Sequence, residues 1–339
     1  MTHAGGAVPW RGCSWPRPCS GGAPRATAAA ATIPSRTTPV RRWGSGPRAT
    51  TRTGSTRAAR RPPRSPGTAR RARTPRPGSS SASRASRSAS GSPPRGPEEE
   101  ARGFTEAAAH ADRTALLVLY NIPHRDCGQY SGGGAADGDA YRAWIDKVAT
   151  GIGDGPATVV LEPDALLHLV DGCTPDEFHE ERYDLLKGAI EKLAALPHTT
   201  VYLDAGNPGW QRPEVLAEPL RRAGIDAADG FAVNVSNFET TERSIAYGKD
   251  LSRLVGGKHF VVDTSRNGNG PATQGDPGER WCNPPGRALG EPPTTRTDDP
   301  LVDAYLWVKR PGESDGTCKG GPKAGEWWGA YALGLAKGR

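Results

Sequence analysis

Polar residues stand at or just beyond the ends of several apolar runs of this sequence. In VVLEPDALLHL (159–169), a run of β-branched residues ends in Glu162 and Asp164 around a proline. A buried carboxylate is costly unless another group pairs with it or uses it. The residues that follow the other apolar runs are also polar: Asp126, Asp204, Asn234 and Asp315. One such acid would be explained as a helix cap or a turn former, but five apolar runs with polar groups at their ends favour a shared site.

Clustered carboxylates of this kind suit acid–base chemistry. One carboxyl group must hold a proton, and a neighbouring carboxylate can raise its pKa and keep it protonated. Trp210 in DAGNPGW and Trp281 in ERWCNPPG lie in turn-rich sequence, and tryptophan offers a flat apolar face on which a sugar ring can lie. Trp307 lies in an apolar run, where core packing explains it equally well. The combination indicates hydrolysis of a polysaccharide.

Six β-rich runs must position these residues. They are ALLVLY (115–120), ATVVLE (157–162), TVYLD (200–204), GFAVN (230–234), HFVVDT (259–264) and AYLWV (304–308). Amphipathic helices are predicted at 137–151, 176–195, 213–223, 241–254 and 325–337. Nearly continuous apolar strands that alternate with helices predict a parallel sheet covered on both faces. Because the polar groups follow the C-terminal ends of the strands, a β/α barrel is favoured over an open sheet.

A long irregular segment separates the last two predicted strands. Residues 265–299 are rich in Gly, Pro and polar residues and show no hydrophobic periodicity. Irregular loops of this length inside a compact domain are usually functional or disordered. Because this segment carries Trp281, we expect it to be functional.

Residues 1–97 differ sharply in composition from the rest of the chain. They contain 19 Arg among Pro, Ser, Ala, Gly and Thr, but no Asp, Glu, Lys, Leu, Phe, Tyr, Asn or Gln. Such a low-complexity tract cannot build a core, so we predict that it is disordered. The absence of eight residue types also suggests GC-rich DNA translated in the wrong frame. The nucleotide sequence upstream of codon 98 would test this hypothesis.

The formal charge of +7 hides an acidic remainder. Without the 19 arginines of the tract, 25 basic residues face 37 acidic residues, which gives a formal charge of −12. An arginine-rich arm could bind nucleic acid or another polyanion, and salt-sensitive binding that disappears when residues 1–97 are deleted would support that class. The composition favours the frameshift hypothesis, so we expect no nucleic-acid partner. No apolar run approaches about 18 residues, so we also expect no membrane span.

Four of the six cysteines lie outside the tract: Cys127, Cys173, Cys282 and Cys318. Their separations match no short zinc pattern, and their neighbours are typical of loops, so two disulfides are favoured over a metal site. Four cysteines allow three pairings. Disulfides indicate a secreted protein, although no apolar run of about 7–15 residues near the start marks a signal peptide.

Several long motifs, in order, resemble those of glycoside hydrolase family 6, whose members are endoglucanases and cellobiohydrolases. They are VLYNIPHRDCGQYSGGG (118–134), VVLEPDAL (159–166), YLDAGNPGW (202–210), NVSNF (234–238), DTSRNGNGP (263–271), WCNPPGRALGE (281–291) and LWVKRPGESDGTC (306–318). The resemblance covers the chain from about residue 101 to its C-terminus. It implies an α/β fold, a distorted parallel (β/α) barrel of about seven strands that hydrolyses β-1,4-glucan with inversion.

The resemblance also implies roles for individual residues. Four aspartates would carry the chemistry: Asp164 as general acid, Asp126 as the group that raises its pKa and organises water, Asp315 as the candidate base, and Asp204 as electrostatic support. Tyr120 would contact the distorted sugar, and other substrate contacts would come from Trp210, Asn234, Trp281, Lys309 and Glu313. The family's disulfides correspond to Cys127–Cys173 and Cys282–Cys318. No cofactor or metal is implied.

Among the departures of this sequence from the family pattern, two bear on the site and the fold. Asn207 stands where the DAGHxxW motif of many members has His, which affects one sugar contact. Only six strands are found after residue 98, so the family's first strand should lie within the suspect tract. We therefore expect a catalytic domain at 98–339 that lacks one strand and exposes two sheet edges, which favours aggregation.

Three functional readings stay open at this point. Short segments after Asp126 and before Lys309 favour an endo-acting cellulase over an exo-acting cellobiohydrolase, whose long loops roof the site. An inactive relative that only binds glucan is the third reading, because the incomplete barrel puts folding and activity in question. In each case we expect a monomer whose partner is a cellulose or β-1,4-glucan chain.

Overall fold

Six parallel strands form the frame of the protein, and helices follow most of them. The structure, a computed structural model, describes residues 30–34 and 96–338. Its strands are β1 (Ala30–Pro34), β2 (Arg113–Leu119), β3 (Ala157–Leu161), β4 (Thr199–Asp204), β5 (Gly230–Val233), β6 (His259–Asp263) and β7 (Val302–Leu306). Its α-helices are α1 (Pro97–His110), α2 (Gly138–Ile152), α3 (Leu167–Val170), α4 (His179–Ala194), α5 (Pro213–Arg222), α6 (Thr241–Leu254) and α7 (Gly329–Lys337).

The strands form one curled sheet in the order β1 to β7. Strands β2 to β7 pair in parallel, with Leu117 opposite Val159 and Val159 opposite Val201. The register between β6 and β7 shifts at a bulge between Phe260 and Val261. This half-barrel of parallel strands confirms the predicted α/β fold class.

The predicted elements agree closely with the observed ones, except at the last helix. Each predicted strand overlaps an observed strand, but α7 begins at Gly329 and not at residue 325. Gly325 has a left-handed φ of 79°, and the carbonyl of Glu326 accepts a hydrogen bond from the Ser314 N–H at 2.9 Å. Residues 325–328 therefore belong to a loop. None of the described helices is long and apolar enough to cross a membrane.

The sheet separates two apolar clusters. Val159 belongs to the cluster between the sheet and the helices, whereas Val160 belongs to the inner cluster together with Leu116 and Tyr202. Successive side chains of a strand point to opposite faces. Because both faces of β3 are buried, the strand has no polar side and its sequence is continuously apolar.

Strand β1 occupies the edge of the sheet that the sequence predicts to be bare. It pairs antiparallel with β2, with Ala30 opposite Leu117 and Pro34 opposite Arg113. This strand covers the edge of β2, but because it is antiparallel, the sheet still has six parallel strands, as the sequence predicts. The predicted disorder of the other residues in 1–97 lies outside the described residues, apart from those at its end, where α1 begins at Pro97.

Candidate active site

The chain turns sharply at the C-terminal end of β3. Glu162 and Asp164 have φ values of 45° and 67°, which non-glycine residues adopt rarely and which cluster at functional sites. The N–H of Glu162 still donates to the carbonyl oxygen of Leu119 at 2.7 Å. Pairing with β2 therefore continues to Glu162, and the backbone leaves the sheet immediately before Asp164.

Glu162 supports the segment that follows β2. Its carboxylate is fully buried and accepts hydrogen bonds from the N–H groups of Asn121, at 3.0 Å to each oxygen, and Ile122, at 2.9 Å. Burial raises the pKa of Glu162 to about 7, although these N–H groups oppose the rise. Glu162 is thus a structural partner of the β2 loop, which carries Tyr120 at its start.

The raised pKa of Glu162 predicts a pH-dependent stability. The folded state keeps a proton that the unfolded state releases near pH 4.5, so the free energy of unfolding decreases as the pH rises from about 4.5 to about 7. Glu162→Gln removes this contribution, which amounts to at most about 3 kcal/mol. Urea unfolding across this pH range measures it, and an unchanged slope in the variant would contradict the assignment.

Asp164, which is partly exposed, and the buried Asp204 form a carboxyl pair. The backbone N–H of Asp164 donates to Oδ2 of Asp204 at 2.9 Å. Burial, then Asp204 and Asp126, raise the pKa of Asp164 well above its ordinary range, and Lys309 opposes the rise. Burial likewise raises the pKa of Asp204 to about 7, with the N–H of Asp164 opposing it. Two such acids cannot both ionise easily, so the pair retains a proton near neutral pH.

Asp126 lies in the loop after β2, close to both Asp164 and Tyr120. It has a φ of 53°, and its Oδ2 accepts a hydrogen bond from the Ser131 N–H at 2.6 Å. Burial raises its pKa, while the Ser131 N–H, His168 and Arg125 oppose the rise. Burial and the charges of Asp164 and Asp126 also raise the pKa of Tyr120. The tyrosine hydroxyl is therefore neutral, and it lies close enough to both acids to feel their charges.

Asp315 has the opposite electrostatic environment. Nη1 of the fully buried Arg266 lies 2.9 Å from both carboxylate oxygens, and Lys309 Nζ lies 3.5 Å from one of them. The N–H of Asn283 donates to Oδ2 at 3.0 Å. Burial alone would raise the pKa of Asp315, but Arg266 and Lys309 outweigh it and hold the pKa below its usual value. Asp315 is therefore an ionised carboxylate.

Asp263 is a central residue of this edge that the sequence analysis does not identify. Its carboxylate accepts backbone hydrogen bonds from Ser236 at 2.8 Å, Ser265 at 2.9 Å, Lys309 at 3.2 Å and Val308 at 3.3 Å. It thereby joins the segments that follow β5, β6 and β7. The polar DTSRN sequence, which begins at the last residue of β6, is the signal in the sequence for both Asp263 and Arg266.

Asn234, which is predicted to contact sugar, lies in the loop that follows β5. Its side chain is fully buried. Nδ2 donates to the carbonyl oxygens of Asp263 at 2.8 Å and Glu239 at 3.1 Å, and Oδ1 accepts from the Glu239 N–H at 3.0 Å. Because these three hydrogen bonds lie within the fold, Asn234 stabilises the loop after β5, and its role as a sugar contact stays a prediction.

The aromatic residues predicted to bind sugar lie at the rim of the same edge. Trp210 is partly buried and makes an edge contact with His168, with ring centroids 5.3 Å apart. Trp281 is 38% exposed, and its ring lies 6.1 Å from that of Tyr130. Tyr130 is itself 48% exposed. These exposed faces leave room for a flat apolar ligand.

The two charged residues predicted to bind sugar are held by neighbours. Lys309 is partly buried, and its Nζ donates to the carbonyl oxygen of Ser314 at 3.4 Å in addition to its contact with Asp315. Burial lowers the pKa of Lys309, whereas Asp315 opposes that effect. Glu313 is mostly buried and forms an ion pair with Arg310. Lys309 therefore contacts Asp315 directly, and Glu313 lies two residues before it in the chain.

Both predicted disulfides are present. Cys127–Cys173 joins the Asp126 loop to the segment after α3, and Cys282–Cys318 joins the long loop to the segment beyond Asp315. Among the described residues, one group with metal-ligand spacing was found, namely Cys127, Cys173 and His168. Because both cysteines of this group are in a disulfide, they offer no thiolate to a metal ion.

A parallel α/β half-barrel with buried carboxylates at its C-terminal edge is the architecture of a glycoside hydrolase of the type predicted above. The family model described as "Glycosyl hydrolases family 6" matches residues 94–339, and the chain belongs to this family.

Relatives with known names support the assignment. The chain is 47% identical over 240 residues to Endoglucanase A of Cellulomonas fimi, covering 71% of this chain and 51% of that protein. It is 32% identical over 288 residues to a probable 1,4-β-D-glucan cellobiohydrolase C of Aspergillus terreus, covering 68% of this chain and 61% of that protein. The chain thus spans only about half to three fifths of the length of these relatives.

Solved structures show the same fold. An endoglucanase of Mycobacterium tuberculosis, in complex with methyl-cellobiosyl-4-deoxy-4-thio-β-D-cellobioside, superposes with a TM-score of 0.68 at 49% identity. The match covers 71% of this chain and 81% of that chain. An endoglucanase of Humicola insolens superposes with a TM-score of 0.61 at 29% identity, covering 71% and 82% of the two chains.

Proposed function

We propose that this chain hydrolyses β-1,4-glucosidic bonds of cellulose with inversion of configuration and cleaves within the glucan chain. The observation that supports this most strongly is the position of Asp164 beside two other carboxyl groups at the C-terminal edge of the sheet. Burial and two neighbouring carboxylates, Asp204 and Asp126, raise its pKa. A carboxylic acid that stays protonated near neutral pH can protonate a glycosidic oxygen as the bond to it breaks.

The other carboxylates take complementary roles in the proposal. Asp126 lies near both Asp164 and Tyr120, so it can orient the water that attacks the anomeric carbon and can keep the pKa of Asp164 high. Asp204 supports Asp164 by accepting a hydrogen bond from its backbone N–H. In an inverting reaction the attacking water loses a proton to a carboxylate, either directly or through further water.

Asp315 is the candidate base. It is ionised, because Arg266 and Lys309 lower its pKa. A lowered pKa makes a carboxylate a weaker proton acceptor, so direct transfer from water to Asp315 is less favourable than transfer through intervening water molecules. The negative charge nevertheless stabilises the positive charge that develops on the sugar ring.

The substrate contacts are proposed for residues at the rim. Tyr120 would press on the sugar at the point of cleavage, because it lies beside both Asp164 and Asp126. Trp210 and Trp281 would stack on neighbouring glucose units, with Lys309 and Glu313 as polar contacts. No metal or cofactor takes part in the proposed reaction. The protein would act as a secreted monomer, consistent with its two disulfides.

Comparing the loss of substrate viscosity with the release of soluble sugar tests whether the chain cleaves within the glucan. The endoglucanases of Cellulomonas fimi, Thermobispora bispora and Streptomyces are 44–47% identical to this chain, whereas the probable cellobiohydrolases of Aspergillus are 31–32% identical and the Humicola insolens endoglucanase is 29% identical. With the full chain, we expect the viscosity of carboxymethylcellulose to fall steeply before much soluble sugar is released. Release of cellobiose at nearly constant viscosity would instead indicate exo action, and binding without hydrolysis would indicate a glucan-binding protein.

A further inference from the structure

Arg182 is a buried cation that none of the proposed roles uses. It lies near the start of α4, and only 2% of the residue is exposed. Its guanidinium makes three hydrogen bonds, all to backbone carbonyl oxygens outside its own helix. Nη1 donates to Ala165 at 3.2 Å, and Nη2 donates to Pro123 at 2.9 Å and His124 at 3.2 Å.

These carbonyl groups belong to the two segments that carry the proposed acids. Pro123 and His124 precede Asp126 by three and two residues, and Ala165 directly follows Asp164. Both segments have left-handed backbones, with φ of 56° at His124 in addition to the values at the two aspartates. Such conformations persist only where the surroundings hold them. One guanidinium therefore joins two strained turns.

We propose that Arg182 is a positioning residue that sets the separation of Asp126 and Asp164, an inference that rests on the proposed roles of these two acids. Besides burial, Asp204, Asp126 and Asp171 raise the pKa of Asp164, and Lys309 lowers it. The part due to Asp126 depends on the separation of the two carboxyl groups. Releasing the carbonyl groups of Pro123 and His124 lets Asp126 move away, which lowers the pKa of Asp164. The planar fork of arginine reaches both segments at once, whereas the single ammonium group of lysine cannot.

The surroundings of Arg182 provide a way to separate positioning from general stability. A small pocket lined by Pro123, His124, Phe178 and Arg182 lies beside the guanidinium and next to the exposed Glu181. Arg182→Ala enlarges this pocket and leaves the three carbonyl groups without donors. A guanidinium ion has the same donors as the lost side chain and can enter from this side, whereas urea has a similar shape but no charge.

The test compares full-length wild type and Arg182→Ala. We expect kcat on cello-oligosaccharides to fall by about 10- to 100-fold with little change in KM. The limb of the pH–rate profile on which Asp164 loses its proton should move to lower pH. Guanidinium chloride at low millimolar concentration should restore part of kcat, and urea at the same concentration should not. In a double-mutant cycle with Asp126→Asn, the two pH shifts should be less than additive, because Arg182 acts through Asp126.

Two variants on the same helix serve as controls. Lys187→Ala removes an exposed positive charge and should leave kcat and the pH profile unchanged. Ile190→Ala opens a cavity at a fully buried position away from the loops; it should lower the free energy of unfolding without moving the pH profile. An Arg182→Ala enzyme that behaves like Ile190→Ala, with no rescue by guanidinium and no pH shift, would overturn the inference.

A readout independent of turnover keeps the inference distinct from the proposed function. The carbonyl stretch of protonated Asp164 can be followed by infrared difference titration, with Asp164→Asn as reference. Arg182→Ala should lower this titration midpoint even if the wild-type chain hydrolyses nothing. An inactive wild type would refute the proposed function, whereas an unchanged midpoint would refute the positioning role.

Discussion

Replacing Asp164 with asparagine is expected to lower kcat for β-1,4-glucan hydrolysis by about 10³-fold or more. General acid catalysis contributes roughly 10²- to 10⁴-fold, and asparagine cannot donate a proton to the leaving oxygen. The side chain keeps its size. The hydrogen bond to Asp204 comes from the backbone N–H of residue 164, so the substitution does not remove it. Binding of cello-oligosaccharides should therefore persist, as isothermal titration calorimetry can measure.

Substrates with different leaving groups sharpen this prediction. The leaving group of a dinitrophenyl cellobioside departs as a stable phenolate and needs little protonation. Asp164→Asn should therefore cleave this substrate at nearly the wild-type rate. Asp139→Asn, at an exposed position of α2, is the matched control and should not change either rate. Equal losses on both substrates would show that Asp164 is not the general acid.

Replacing Arg266 with methionine is expected to lower the free energy of unfolding by about 3–5 kcal/mol. The guanidinium is fully buried, contacts both oxygens of Asp315 at 2.9 Å, and lies 4.3 Å above the ring of Phe238. Removing it leaves a buried carboxylate with Lys309 as its remaining cation, and breaking one side of a buried ion pair has a cost of this size.

The pH dependence of stability identifies the origin of this effect. The folded state lowers the pKa of Asp315, so its contribution to stability is present above the unfolded pKa and is lost as the pH falls through the folded pKa. In Arg266→Met this loss at acidic pH should vanish. The double variant Arg266→Met, Asp315→Asn should recover part of the stability, because no uncompensated charge remains.

Urea unfolding followed by tryptophan fluorescence measures both variants. The matched control is Arg253→Met, which breaks the exposed pair with Asp250 on α6. Exposed ion pairs contribute less than about 1 kcal/mol, so this variant should unfold near the wild-type urea concentration. A similar small loss in Arg266→Met would mean that solvent or Lys309 compensates the charge of Asp315.

The strands and the carboxylates at their ends could be predicted from sequence because both depend on local patterns. Buried parallel strands are continuously apolar, and polar residues directly after them fall at one edge of the sheet. Asp164, Asp204 and Asp126 meet there and influence one another electrostatically. For these residues, the order of elements along the chain is sufficient to place them together.

The residues that hold the site could not be placed in this way. Arg182 and Arg266 contact groups 17 to 59 residues away in the sequence, through backbone carbonyls or a carboxylate in other segments. No periodicity records such contacts. Asn234 stands at a strand end as predicted, but its hydrogen bonds to the backbone of Glu239 and Asp263 could not be predicted from the sequence either.

Strand β1 shows a limit of composition as a guide to structure. Its sequence, AATIP, lies in a tract with too few apolar residues to build a core. An edge strand needs mainly backbone hydrogen bonds on one side, so five extended residues are sufficient to pair with β2. Composition predicts whether a segment can fold alone, but it does not predict whether a segment can join an existing sheet.

The carboxylate of Asp263 has a consequence for how this fold tolerates change. It fixes the start of the 265–299 loop through the Ser265 N–H, and the hydrogen bonds between Asn283 and Asp315 fix the loop again further on. Residues 273–279, between these two anchors, are exposed. Insertions or exchanges in this stretch are therefore expected to leave the anchored carboxylates in place, so this part of the loop can change in length and sequence independently of the acids.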